Sequence, residues 1–168
     1  KALMQRYKVN LLVDNCRQKG APVIVNDNPS YYNLFGRIGK DAVMGGWYSD
    51  YTMISSGAML RANGGFLILD IQNVLQSGNV WEYLKRTLKN KSLQIEDVNE
   101  QYGLNATSSL QPEPIPLDLN VILLGRSDHF HYLQEVDEAF NKTFKVRADF
   151  DYEVTRNAKN EHLLCQFI

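Results

Sequence analysis

Cysteine is almost missing from this sequence. Cys16 and Cys165 are the only two, and they stand near opposite ends with no spacing motif around either. That argues against a disulfide-stapled secreted scaffold; both thiols are expected reduced and structural, which suits a cytoplasmic protein. A surplus of either charge is missing too. Eighteen Lys and Arg face nineteen Asp and Glu, for a net charge of −1 and a pI near 6.3. Composition therefore gives no electrostatic case for nucleic acid or an anionic membrane. Long apolar runs are absent: stretches such as 66–69 and 121–124 are far too short to span a bilayer. Lys1, Arg6 and Lys8 put cations at the start, but no long apolar stretch follows, so no signal peptide is read there. There is no 20- to 50-residue repeat and no low-complexity tract.

What is present is the make-up of one globular domain. The 168 residues are 44% hydrophobic and 22% charged, enough to bury a real core. Strand-like and helix-like segments alternate. Val23-Ile24-Val25 reads as a short strand after the Gly20-Ala21-Pro22 turn. Residues 56–62 read as a helix capped by Ser55 or Ser56 and stopped by Asn63-Gly64-Gly65. Phe66-Leu67-Ile68-Leu69 is an unalternating apolar run, the pattern of a parallel strand buried on both faces. In 80–90, Val80, Trp81, Leu84 and Leu88 fall at helical spacing. Leu93-Gln94-Ile95-Glu96 alternates as an exposed strand would, and the proline-rich stretch 112–116 is expected to form a hairpin with it. Residues 120–124 predict a second buried strand, 129–140 a helix, and 144–150 a last strand. The fold class is thus α/β: a mainly parallel sheet with flanking helices and an inserted β-hairpin.

The chemically informative residue is Asp70, which ends the apolar strand and follows Gly64-Gly65 by a few positions. A carboxylate at the carboxyl end of a buried parallel strand stands where such sheets bind ligands, and in P-loop enzymes it holds Mg²⁺ directly or through water. The plainer alternative is an aspartate that caps a helix beginning at Ile71.

An ordered series of motifs surrounds it. Asn33-Leu34-Phe35-Gly36, Gly45-Gly46, Gly57-Ala58, Arg61-Ala62-Asn63-Gly64-Gly65 and 66–70 come first. Trp81-Glu82 with Leu84-Lys85-Arg86, Glu113-Pro114-Ile115-Pro116-Leu117, Asn120 to Gly125 and Phe144 to Asp151 continue it. The series resembles AAA+ proteins with a pre-sensor hairpin, and the Lon-related ATP-dependent protease family in particular, from about Tyr7 to Asp151. The resemblance implies a partial P-loop-type sheet, with 1–151 as the C-terminal half of an AAA+ large subdomain and 152–168 as the start of a helical subdomain or a linker. It implies ATP and Mg as cofactors of the full-length protein, protein substrates, a homo-oligomeric hexameric ring, and a bacterial cytoplasmic setting. Nucleic acid and membrane are not expected partners.

The family's phosphate loop GxxxxGK[ST] and a Lon-type Ser-Lys protease motif are both missing from these residues. The segment by itself is therefore expected to hold ATP poorly and to be inactive, with no catalytic residue of its own. By the same resemblance Asp70 takes the Walker B position and is the metal contact, through Mg only. Ile71 stands where active AAA+ enzymes carry a glutamate, and isoleucine cannot accept a proton. Arg126 and Ser127 take the sensor position, where Asn is usual. Thr143 holds the arginine-finger position, with Lys145 and Arg147 close by as candidates. Met44, Trp47 and Tyr48 correspond to a pore loop that grips unfolded chain, although Trp47 and Tyr48 could equally pack in the core. His129 and His131, two apart on a helix, do not converge on a metal. Lys85, Arg86, Lys89 and Lys91 read as a solvated helix face, with a neighbouring subunit or nucleic acid as the other option. Tyr31 and Tyr32 read as packing rather than base stacking.

Overall fold

A computed structural model describes residues 7–43, 46–96 and 110–167. Chain order follows the alternation in the sequence. β1 (Val23–Asn26) leads to α1 (Tyr31–Phe35), β2 (Arg37–Ile38), the β3 (Asp41–Val43) and β4 (Gly46–Tyr48) ribbon, a 3₁₀ turn (Tyr51–Met53) and β5 (Ile54–Ser55). α2 (Ala58–Arg61), β6 (Phe66–Asp70), α3 (Ile71–Gln76) and α4 (Val80–Asn90) follow. β7 (Ser92–Leu93), β8 (Ile115–Pro116), β9 (Asn120–Leu124), α5 (Ser127–Val136), α6 (Glu138–Thr143) and α7 (Ala158–Phe167) complete it.

The apolar strands pair in the order β1-β6-β9, all parallel. Leu67 and Leu69 are buried with Ile24, Val121 and Leu123 packed against the same core. Their neighbours in the strands, Val23, Val25, Phe66, Ile122 and Leu124, are exposed. The expectation that 66–69 is buried on both faces is therefore corrected. The cause is topological: β1 to β6 and β6 to β9 step the same way across the sheet, and right-handed crossovers put both connections on one face. The helices of those connections supply Leu34, Phe35, Met59, Leu60, Val74, Val80, Trp81 and Leu84 to a single core on that side.

Several local expectations change for identifiable reasons. α2 starts after Gly57, not after a serine, because Ser55 belongs to β5 and the Ser56 hydroxyl donates to the Leu12 carbonyl at 2.6 Å. Gly57 also permits a close approach: a Cβ there would fall on the Leu34 carbonyl oxygen. The proline-rich stretch does pair as a hairpin, with Leu93 opposite Ile115, but Leu93 and Ile95 are buried rather than exposed. The intervening hairpin tip lies outside the described residues. No strand forms at 144–150. Among the described residues β9 pairs only with β6 and residues 144–150 pair with no strand; without a partner an extended segment is not a stable strand in water.

The predicted helix over 129–140 is two helices, broken at Asp137. Its Oδ1 accepts from the backbone N–H groups of Ala139 (3.0 Å) and Phe140 (3.2 Å), capping α6. Its Oδ2 accepts from Trp81 Nε1 at 2.7 Å and Lys85 Nζ at 2.6 Å. Lys85 also meets Glu82 at 2.8 Å. The Lys85 and Asp137 side chains are only 12% and 14% exposed, so Lys85 does not belong to a solvated face. Trp81 stacks on Phe144 with ring centroids 6.0 Å apart, and Phe130 meets Phe140 edge-on at 5.6 Å. Burial opposes charge on both groups, but the hydrogen bonds outweigh it. Lys85 is held above its ordinary value and Asp137 below its own.

The signs define a window. Asp137 contributes stability above the unfolded carboxylate pKa, and this is lost as pH falls through its depressed folded value. Lys85 contributes below the unfolded lysine pKa and loses that as pH rises through its raised folded value. Asp137→Ala should cost about 3 kcal/mol near neutral pH, since it leaves a mostly buried lysine with only the exposed Glu82 and removes a cap. Asp137→Asn, which keeps the cap oxygen, should cost less and should flatten the acid limb. Urea unfolding across pH checks both; unchanged midpoints would contradict the assigned role.

Candidate functional site

The carboxyl end of the parallel sheet is built by three strand ends. Asn26 lies opposite Leu69, and Asp70 opposite Leu124. Past β1 the chain turns through Asn26-Asp27-Asn28, where Asn26 Oδ1 accepts the Asn28 N–H at 3.0 Å. Past β6 it enters α3 at once. Asp70 is exposed on the strand end, and its Oδ1 accepts the Asn73 N–H at 3.1 Å. The helix-capping alternative is therefore realised in this geometry. The Asn73 amide donates in turn to the Asp27 carbonyl at 3.1 Å, which ties the two strand ends together. The other Asp70 oxygen has no partner among the described residues and is free for solvent or a cation.

Ile71 is 4% exposed. Gly125 lies against it so closely that a Cβ on the glycine would collide with the Ile71 Cγ2. The residue after the aspartate is thus a core residue, sealing β6 to the end of β9. His129 sits beside the same glycine with its Nδ1 enclosed and without a hydrogen-bond partner. His131 is exposed and meets the Phe130 ring edge-on at 5.7 Å, so the two imidazoles do not share one environment.

The remaining candidates are spread out. Arg126 precedes α5 with its side chain 79% exposed and ion-paired to Asp128 at 2.9 Å, and Ser127 is the first residue of that helix. Lys145 is exposed on the irregular segment. Arg147 pairs with Asp149 at 2.6 Å and lies over the Phe130 ring at 4.3 Å. Thr143 turns its hydroxyl to the Ala139 carbonyl at 2.9 Å. Trp47 and Tyr48 stand on the β3–β4 ribbon, 52% and 51% exposed, so neither is a core residue. The Tyr48 hydroxyl donates to Asp50 at 3.0 Å. Met44 lies outside the described residues. Tyr31 packs edge-on to Tyr83 at 4.9 Å, and Arg86 lies over Tyr83 at 4.4 Å while meeting Glu96 at 3.7 Å. Cys16 and Cys165 are free and exposed, not the structural residues expected.

A wide cleft lies elsewhere. About 1290 Å³ in volume, it runs beside Asn120 and Val121 of β9, between α4 and residues 144–146. It follows the amino-terminal half of β9, whose outer edge is unpaired among the described residues, away from Asp70. No motif or periodicity signals this space, because it depends on which strands pair.

Because Ile71 is packed, a glutamate there has no room for hydrated charge. Ile71→Glu should cost about 2–4 kcal/mol, and Asp70→Ala about 1 kcal/mol through loss of the cap. Denaturant midpoints of the two variants measure this directly; an Ile71→Glu protein as stable as the parent would show that the position is open.

No curated protein matches the chain. No helix among the described residues is long and apolar enough to cross a membrane. A family model described as "LonB-like, AAA domain" matches residues 19–151. AAA domains are in general nucleotide-binding and self-assembling. The match covers β1 through the segment after α6, and with it the parallel sheet, Asp70 and the hairpin. The chain belongs to the LonB-like AAA domain family.

Proposed function

We propose that the chain is the motor segment of a Lon-like ATP-dependent serine protease, whose ring of AAA+ subunits feeds unfolded protein to a Ser-Lys chamber. The observation that carries this reading is the position of Asp70, at the carboxyl end of the central strand of a parallel sheet in an AAA-family chain. Its exposed carboxylate, with one oxygen committed to Asn73, fits a contact to Mg²⁺ or its waters. Magnesium would supply charge neutralisation at the nucleotide phosphates, and the phosphate grip itself would have to come from residues other than these. The sheet leaves a place for them. A helix covering the bare face in right-handed fashion must follow a strand beside β9 and lead back toward β1. The open β9 edge and the bare face suit a phosphate-loop strand and its helix.

In this reading Trp47 and Tyr48 offer aromatic surface to an unfolded substrate, with Met44 assigned to the same substrate loop. Arg126, Ser127, Lys145 and Arg147 supply the sensor and arginine-finger chemistry. Helix α7 begins the helical subdomain, and a homo-oligomeric ring in the bacterial cytoplasm is the working form. A second reading, a scaffold or substrate-binding AAA+ module without hydrolysis, is favoured by the buried Ile71 and by the pairing of Arg126 and Arg147 with neighbouring carboxylates.

Asp70→Asn in the full-length protein separates the two. Asn caps a helix about as well as Asp, so stability should barely move. Under the motor reading, ATP-stimulated cleavage of an unfolded protein should fall roughly tenfold or more, since about 1.4 kcal/mol of lost transition-state stabilisation is a factor of ten. Cleavage of a short peptide, which needs no unfolding, is the control. Equal rates for parent and variant, with and without ATP, would favour the scaffold.

A further inference from the structure

Two arginines that the nucleotide reading does not use share one hollow. It has a volume of about 550 Å³ and opens beside Val25 and Asn26, where β1 ends. Arg37 reaches its wall from β2 and Arg61 from the last turn of α2. Neither guanidinium has an ion-pair or hydrogen-bond partner among the described residues, whereas Arg86, Arg126, Arg147 and Arg156 each meet a carboxylate. Two further donors line the same space. With Asn26 Oδ1 fixed by the Asn28 N–H, its NH₂ group is unspent. The Ser55 hydroxyl is also without a partner among the described residues. One carboxylate, Asp27, shares the lining, so positive charge is in excess.

We propose that this hollow binds a small oxyanion: a phosphate or carboxylate group on a compact, hydrophilic ligand. Guanidinium groups match both by paired, charge-assisted hydrogen bonds, and an arginine left without a carboxylate keeps that capacity for a ligand. The volume lies within the range of small-molecule sites, about 300–1,000 Å³. The elements that carry the two arginines are also held rigidly. The Gly57 backbone at the start of α2 packs directly on Leu34 and Gly36, the residues just before Arg37. Binding therefore does not have to bring the walls together, which lowers its entropic cost. Asp27 sets the selectivity: it repels a second negative group at the rim and favours ligands with one oxyanion end.

Isothermal titration of the full-length protein tests this, with inorganic phosphate in one arm and acetate in the other. A non-hydrolysable ATP analogue fills the nucleotide sites first, and its own affinity is measured separately, so failure of the nucleotide reading is scored apart from failure of this one. At least one arm should bind with a Kd on the order of 1 mM or tighter. The stronger arm identifies the group. Arg37→Gln and Arg61→Gln should each weaken it about tenfold or more without lowering the melting temperature, because both side chains are exposed. The Lys variants, which keep the charge but lose the fork, should fall in between and guard against a misfolded Gln variant. Asp27→Asn should tighten binding by about threefold. Absence of binding in both arms, or binding that survives both arginine substitutions, overturns the proposal.

Discussion

β6 is hydrogen-bonded on both sides, to β1 and to β9, and all three strands run the same way. Parallel strands cannot be joined by tight turns, so each pairing forces a long connection, and chirality sends both connections to one face. From this one constraint come the single core under Leu67 and Leu69, the bare apolar face of Val23, Val25, Phe66, Ile122 and Leu124, and the open edge of β9. It also puts Asp70 at the rim. A strand flanked on both sides ends where two neighbouring strands end too, so its last residue meets ligand space rather than packed side chains.

The second organising element is the Asp137 carboxylate. It takes four hydrogen bonds, two from the start of its own helix and two from α4. One group thereby ends α5, starts α6 and fixes both to the helix that follows Asp70 and α3. Around it Trp81, Phe140, Phe144 and Phe130 make the aromatic packing that holds residues 144–147 near α5 even though they form no strand. Arg147 consequently lies on Phe130 rather than free in solvent.

The two neighbourhoods differ in what they leave unspent. The Asp137 carboxylate has both oxygens taken, as suits a structural joint. At the carboxyl end of the sheet, one oxygen of Asp70 and the guanidinium groups of Arg37 and Arg61 have no protein partner among the described residues. Unpaired polar groups held on well-packed elements mark where a partner from outside the chain can be accommodated.

Local chemistry was enough to read the apolar strands 23–25, 66–69 and 120–124 and the helix over 80–90, since burial periodicity and Gly or Asn punctuation act over a few residues. The motif series around Asp70 also made the AAA relationship legible, and the family match over 19–151 agrees with it. Tertiary structure decided the rest. Ser56 was spent on Leu12 and so did not cap α2. Asp137 drew Lys85 and Trp81 from a distant helix and so broke a segment whose periodicity looked continuous. Residues 144–150 have strand-like composition but stay irregular, held by Phe144 on Trp81 and Arg147 on Phe130 rather than by a ladder. The Arg37–Arg61 hollow had no signature in the sequence: twenty-four positions separate the two residues, and the β2–β5 pairing, with Arg37 opposite Ser55, and the backbone contact at Gly57 bring their elements together.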